Sequence, residues 1–144
     1  LVSICRPLGV HLTLCCPLHD KEAVDEESRQ ALLDAGLLTE TLDAGEAVAD
    51  ADYVYTDTWL DMEYFNDPAF AEEKERRVEM MLPYQLNSDL LANSRAKVMH
   101  DMPIHAGYEI SDELVESERS IIYDQAENRL DAQKAILVTL FQSS

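Results

Sequence analysis

Positive charge is what this sequence has least of. Lysine occurs only at positions 21, 74, 97 and 134, and 11 basic residues face 29 acidic ones, for a formal net charge of −18. A surface that negative repels phosphate backbones and anionic headgroups, which speaks against nucleic-acid and membrane-surface roles. The same balance would suit a salt-adapted proteome. Glycine is nearly as scarce. The four glycines, at 9, 36, 45 and 107, fall in neither GxGxxG nor P-loop spacing, which speaks against a self-contained nucleotide domain. No GxSxG elbow occurs, and no cysteine stands with a histidine in a recognisable nucleophile motif. No apolar run approaches the length of a membrane span and no signal-peptide layout is present, so the chain reads as cytoplasmic. Cys5, Cys15 and Cys16 are odd in number and lie in apolar surroundings, as expected of buried free thiols in a reducing compartment. The chain opens at Leu1 inside an apolar stretch with no initiator methionine, and reads as cut out of something longer.

What is present alternates. The 144 residues suffice for one sizeable core. Residues 10–17 (VHLTLCCP) form a short apolar run ending at Pro17, which predicts a buried strand. There the adjacent Cys15 and Cys16 would point to opposite faces, arguing against a shared metal. Residues 25–36 have an acidic first turn and stop at Gly36, as a helix does. Residues 37–42 read as a second strand, and 43–51 as a short helix with Asp43 and Glu46 in capping-box spacing. A third strand is predicted over 51–57, and a helix over 66–82 with Pro68 just inside its start. Residues 97–100 and 120–124 read as strands four and five, with a short helix over 111–116 between them. A last helix over 126–141 has Asp124 and Glu127 placed to cap it. Strands alternating with helices imply an α/β fold: a doubly wound parallel sheet of about five strands with helices on both faces.

In such a sheet ligands bind beyond the carboxyl ends of the strands. The residues there are Pro17-Leu18-His19, Asp57-Thr58-Trp59, His100-Asp101-Met102-Pro103, and Asp124 with Glu127-Asn128-Arg129. Each has a plain alternative. Asp57 reads equally as a cap or turn residue and as a ligand group. His100, Asp101 and His105 carry chemistry suited to zinc or iron, but Pro103 interrupts the stretch and nothing makes the rings converge. Arg129 in the first turn of a helix opposes the dipole, and its plain reading is a partner for Glu127 or Asp124. A residue that breaks a local rule beside a predicted crevice nevertheless gains functional weight.

Four stretches in order, EAVADADYVYTDTW (46–59), LPYQLNSDLL (82–91), VMHDMPIHAGYEISDELVE (98–116) and SIIYDQAENRLDAQKAIL (120–137), resemble the ornithine/aspartate carbamoyltransferase family. The resemblance is to its second, amino-acid-binding domain, and is closer to the ornithine branch. It spans nearly the whole chain and implies transfer of a carbamoyl group from carbamoyl phosphate to an amine, with release of phosphate and without metal or organic cofactor. It further implies that Asp57 holds the acceptor's α-amino group and that Asp61-Met62-Glu63 occupies the place of a Ser-Met-Gly substrate loop. His100 to Pro103 match an H-C-L-P loop facing the carbamoyl group and the attacking amine. On this reading His100 anchors the loop, Asp101 and Met102 face the site, and no metal is required. Arg129 matches an arginine that contacts carbamoyl phosphate. The whole enzyme is expected to be a homotrimer.

The departures from the family pattern are all acidic. Asp101 stands for the loop cysteine, Asp61 for the serine and Glu63 for the glycine. Carboxylates beside an amine favour its protonated, non-nucleophilic form, so these changes fit an acceptor bringing a second cationic group. The family's Ser-x-Arg-Thr phosphate loop, which lies in the first domain, does not occur in this sequence, and one arginine cannot replace it. The 144-residue chain is therefore expected to be catalytically silent alone. Its last helix, which in the family packs on the first domain, is expected to leave Ile136, Leu137 and Leu140 partly uncovered. Two rivals remain: a non-catalytic binding or regulatory domain that keeps the fold, and a small metal-dependent hydrolase using His100, Asp101 and His105.

Overall fold

The computed structural model describes residues 1–18, 24–60 and 65–142. The chain divides into two compact units, Leu1–Ala49 and Asp50–Ser144.

The first unit opens with helix α1 (Val2–Leu8), which the sequence reading did not foresee. It ends where Gly9 takes φ 63°, a left-handed conformation that glycine adopts without a side-chain clash. Strand β1 (Leu12–Leu14) is shorter than expected and stops before Cys15 and Cys16. Helix α2 (Glu26–Asp34) is capped by Asp25, whose carboxylate accepts both the Ser28 amide (3.0 Å) and hydroxyl (2.6 Å). Strand β2 (Leu38–Glu40) runs parallel to β1 with Leu12 opposite Leu38 and Leu14 opposite Glu40. The predicted box at helix α3 (Ala44–Ala49) forms by half: Asp43 accepts the Glu46 amide, while the Glu46 carboxylate takes the Thr41 hydroxyl instead. Cys5, Leu32 and Leu38 make the core of this unit. The Cys5 thiol is therefore buried as expected, whereas Cys15 and Cys16 are half-buried; all three are free.

The second unit is built on strands β3 (Tyr53–Thr56) and β4 (Lys97–His100), parallel and in register from Tyr53–Lys97 to Thr56–His100. Between them lies helix α4 (Ala71–Met81), entered through a 3₁₀ turn at Pro68–Phe70 whose Ala69 amide is capped by Asp67. Ser111 caps helix α5 (Asp112–Val115). Helix α6 (Ile122–Gln142) closes the chain. Val98, Leu91, Ala96, Ile110 and Ile122 are completely enclosed, the apolar burial that stabilises such a unit. Arg119 fastens the surrounding loops by donating its guanidinium to the Leu91 and Ser94 carbonyls.

The α/β class with parallel strands stands. The described residues form two parallel pairs rather than one sheet of five strands. The expected fifth strand over 120–124 contracts to a bridge between Ser120 and Val98, flanked by bonds from the Val98 amide to Arg119 and from the Ile121 amide to Val98. The helix begins at Ile122, so Asp124 and Glu127 lie inside it and do not cap it. Two β-branched isoleucines in succession imitate a strand, but here one is the anchor of a helix, wholly buried at position 122.

Candidate functional site

The carboxyl ends of β3 and β4 lie side by side because Thr56 is paired with His100. Each strand therefore delivers its next residue, Asp57 or Asp101, to the same edge. Asp57 is exposed, and one of its oxygens accepts the Thr58 amide at 2.7 Å. It is a turn residue whose other carboxylate oxygen makes no hydrogen bond among the described residues. One residue back on the strand, Tyr55 is half-buried. Its phenol is pushed up to about 12, first by burial and then by the charges of Asp101 and Asp57. It therefore stays a neutral O–H beside two carboxylates.

His100 is wholly buried. Its amide donates to the Gln125 side-chain carbonyl (3.0 Å), and its Nδ1 accepts the Met102 amide (2.8 Å). The loop thus folds back onto its own imidazole. Met102 has φ 58°, uncommon for a residue with a side chain, and the Met102–Pro103 peptide is cis. The turn sets Asp101 in the lining of a groove of about 360 Å³. Helix α6 contributes Gln125, Ala126, Asn128, Arg129 and Ala132 to the same groove. Of these, Gln125, Asn128, Arg129 and Ala132 are spaced i, i+3, i+4 and i+7, one stripe of a helix. Arg129 is exposed, eight residues into α6 and not in its first turn, and among the described residues it makes no ion pair with Asp124 or Glu127. Both of its sequence-based readings, the dipole conflict and the local partner, are thereby corrected; it lines the same groove as Asp101.

Behind the loop lies a second, drier layer. Glu109 is wholly buried, with Oε1 3.3 Å from His100 Nε2 and accepting the His105 amide at 2.6 Å. The His105 ring stacks on Phe65 with centroids 3.5 Å apart, and burial lowers its pKa. Lys74 covers the other partner of that stack, 3.6 Å from the Phe65 centroid. His105 therefore faces away from the groove. His100 has committed Nδ1 to a backbone amide. Among the described residues no three His, Cys, Asp or Glu side chains are arranged to hold a metal ion.

The structure thus gathers Asp57, His100, Asp101, Met102, Pro103 and Arg129 around one edge. Asp61, Met62 and Glu63 lie outside the described residues. Sequence reading missed four contributors: Tyr55, Gln85, Glu109 and Gln125. Gln85 donates to the carbonyls of Gly107 (3.0 Å) and Tyr108 (2.9 Å), tying residues 82–91 to the loop that follows Pro103. Gln125 was discoverable, since a helix started at Ile122 puts it on the stripe of Arg129. Glu109 left no such signal.

Residues 1–140 match the model of the aspartate/ornithine carbamoyltransferase family, Asp/Orn binding domain. This chain belongs to that family. It is 42% identical to an ornithine carbamoyltransferase of Methanopyrus kandleri over 145 aligned positions, covering 97% of this chain and 45% of that protein. The ornithine carbamoyltransferase from Pyrococcus furiosus superposes with a TM-score of 0.75 at 36% identity, over 90% of this chain and 41% of that one. A variant of N-acetyl-L-ornithine transcarbamylase, complexed with carbamyl phosphate and N-succinyl-L-norvaline, reaches 0.74 at 28% identity, over 96% and 42% of the two chains. The chain thus spans less than half the length of each of these relatives.

Proposed function

We propose that this chain is the acceptor-binding domain of an ornithine-type carbamoyltransferase, a single domain whose carbamoyl-phosphate partner domain lies upstream. In the whole enzyme the acceptor's neutral amine nitrogen attacks the carbonyl carbon of carbamoyl phosphate. The carbon–oxygen bond to phosphate breaks, phosphate leaves with the electron pair, and the new ureido nitrogen sheds a proton. The observation that carries this reading is that Arg129 and Asp101 line one groove. Arg129, which has no ion-pair partner among the described residues, meets the phosphate or carbamoyl oxygens. The loop of His100, Asp101, Met102 and Pro103 faces the carbamoyl group. Asp57 takes the acceptor's ammonium, and Asp61 and Met62 belong to the loop closing over its far end.

The donor set of oxygens and one guanidinium serves polar recognition and asks for no metal or organic cofactor. The whole enzyme is expected to be a homotrimer in the cytoplasm, and the complete acceptor domain to be an α/β fold with a doubly wound parallel sheet of about five strands. The acceptor is ornithine or a related cationic amine. Asp57 and Asp101 both act on Tyr55, and two carboxylates so close to an amine hold it protonated unless a second cationic group neutralises them. The N-acetyl-L-ornithine enzyme, of similar fold, is named for an acceptor other than ornithine, so acceptor choice varies within the architecture.

The test is an assay of the complete polypeptide for ureido product from carbamoyl phosphate, against ornithine, putrescine, lysine and related amines. Turnover with a cationic acceptor is expected. The double variant Asp101→Cys with Asp61→Ser is expected to gain on ornithine; no gain would separate these carboxylates from acceptor choice. Binding of carbamoyl phosphate without turnover on any amine would leave a binding domain that has kept the transferase fold.

A further inference from the structure

Glu109 is a carboxylate with no access to solvent, one of its oxygens has no hydrogen-bond partner among the described residues, and the groove does not include it. A buried acceptor left unsatisfied is destabilising, and such a group calls for an explanation. Its surroundings supply one. Nδ1 of His100 accepts the Met102 amide at 2.8 Å, so that nitrogen carries no proton. The ring proton of neutral His100 is then on Nε2, and the group facing Nε2, at 3.3 Å, is Oε1 of Glu109. That contact is close without being aligned as a full hydrogen bond, since His100 Nε2 has no hydrogen-bond partner by geometry among the described residues. What it supplies is an acceptor oxygen beside an N–H, which opposes moving the proton to the other ring nitrogen, where Asp101 Oδ1 lies 3.5 Å from Nδ1 and the Met102 amide already donates.

We propose that Glu109 is a positioning residue that holds His100 in its Nε2–H tautomer, so that Nδ1 grips the Met102 amide and fixes the turn presenting Asp101 to the groove. The effect on turnover rests on the carbamoyltransferase reading; the effect on the tautomer does not. Moving the ring proton to Nδ1 would replace an acceptor by a donor opposite the Met102 N–H. The turn would lose its anchor while His100 stayed in place, held by its own amide bond to Gln125. The second role of Glu109, accepting the His105 amide at 2.6 Å, fixes the carboxylate against rotation and ties the two ends of the loop 100–109 to one group.

Glu109→Gln retains a carbonyl oxygen for both donors; Glu109→Leu keeps the bulk and removes it. In the complete polypeptide with isotope-labelled histidine, the imidazole nitrogen resonances should report an unprotonated Nδ1 at His100 in the parent and the glutamine variant, and lose that signature in the leucine variant. Turnover should fall about 100-fold in the leucine variant, the scale of a small misplacement of a reacting group, and stay within about threefold in the glutamine variant. An unprotonated Nε2 in the parent protein overturns the inference without any variant, even where the leucine variant does not fold. So does a leucine variant with unchanged tautomer, or one with a changed tautomer and unaltered turnover. A parent polypeptide that makes no ureido product fails the transferase reading instead, and the tautomer measurement still decides the part played by Glu109.

Discussion

Tyr55 illustrates how the site's acidity reaches a neighbour that is not itself acidic. Its phenol, raised to about 12 by burial and by the nearby charges of Asp101 and Asp57, titrates near 10 in an unfolded chain. The neutral form is thus favoured by folding. Its contribution to stability is complete below pH about 10 and is lost as pH rises toward about 12. Tyr55→Phe should remove that alkaline loss, so denaturant midpoints of parent and variant should behave alike up to pH about 10 and diverge above it, the parent falling faster. Parallel curves over the whole range would mean that neither burial nor the two carboxylates raise the phenol. Little of this was visible beforehand. Asp57 and Asp101 could be placed at strand ends from the pattern alone, but that they share a neighbour depends on register, which pairs Thr56 with His100 across 44 residues of chain.

Among the elements, those that announce their own ends were legible. Asp25 and Gly36 bracket α2, Pro68 opens the turn into α4, and Ser111 caps α5. Those decided by distant partners were not. Whether residues 120–124 extend or coil depends on how far pairing with Val98 runs, and it stops at a single bridge. Starting the helix late also hid the stripe of Gln125, Asn128, Arg129 and Ala132. Gln85 belongs to the same class of the unforeseeable, since its amide crosses 22 and 23 residues to reach Gly107 and Tyr108. Gln85→Ala should leave two carbonyls without that donor and cost about 1–3 kcal/mol. A urea titration would read this as a lower midpoint at constant slope, with hydrogen exchange fastest at the amides of residues 105–111. Unchanged stability would mean that water replaces the glutamine without loss.

At the scale of the whole molecule, α6 is the outlier. Every side chain from Glu127 to Gln142 is exposed, with Ile136 at 58%, Leu137 at 54%, Leu140 at 62% and Phe141 at 78%. An apolar surface of that kind drives association in water. The 144-residue chain alone should therefore self-associate and show no carbamoyl transfer. Leu137→Glu with Leu140→Glu should return it to a monomer by light scattering. A monomeric parent chain would contradict the first expectation, and measurable transfer by that chain the second.

The same helix is also a beam supported at one end. Ile122 is seated in the core, and the helix runs about 30 Å from it at 1.5 Å per residue. Arg129 stands about 10 Å along, a third of the way out. A tilt of about 5° at the seat sweeps the tip by nearly 3 Å and the guanidinium-bearing turn by about 1 Å. Whatever clasps the apolar end is therefore geared at roughly three to one onto the cation in the groove, and the fineness of that adjustment is set by where along the beam the arginine is mounted.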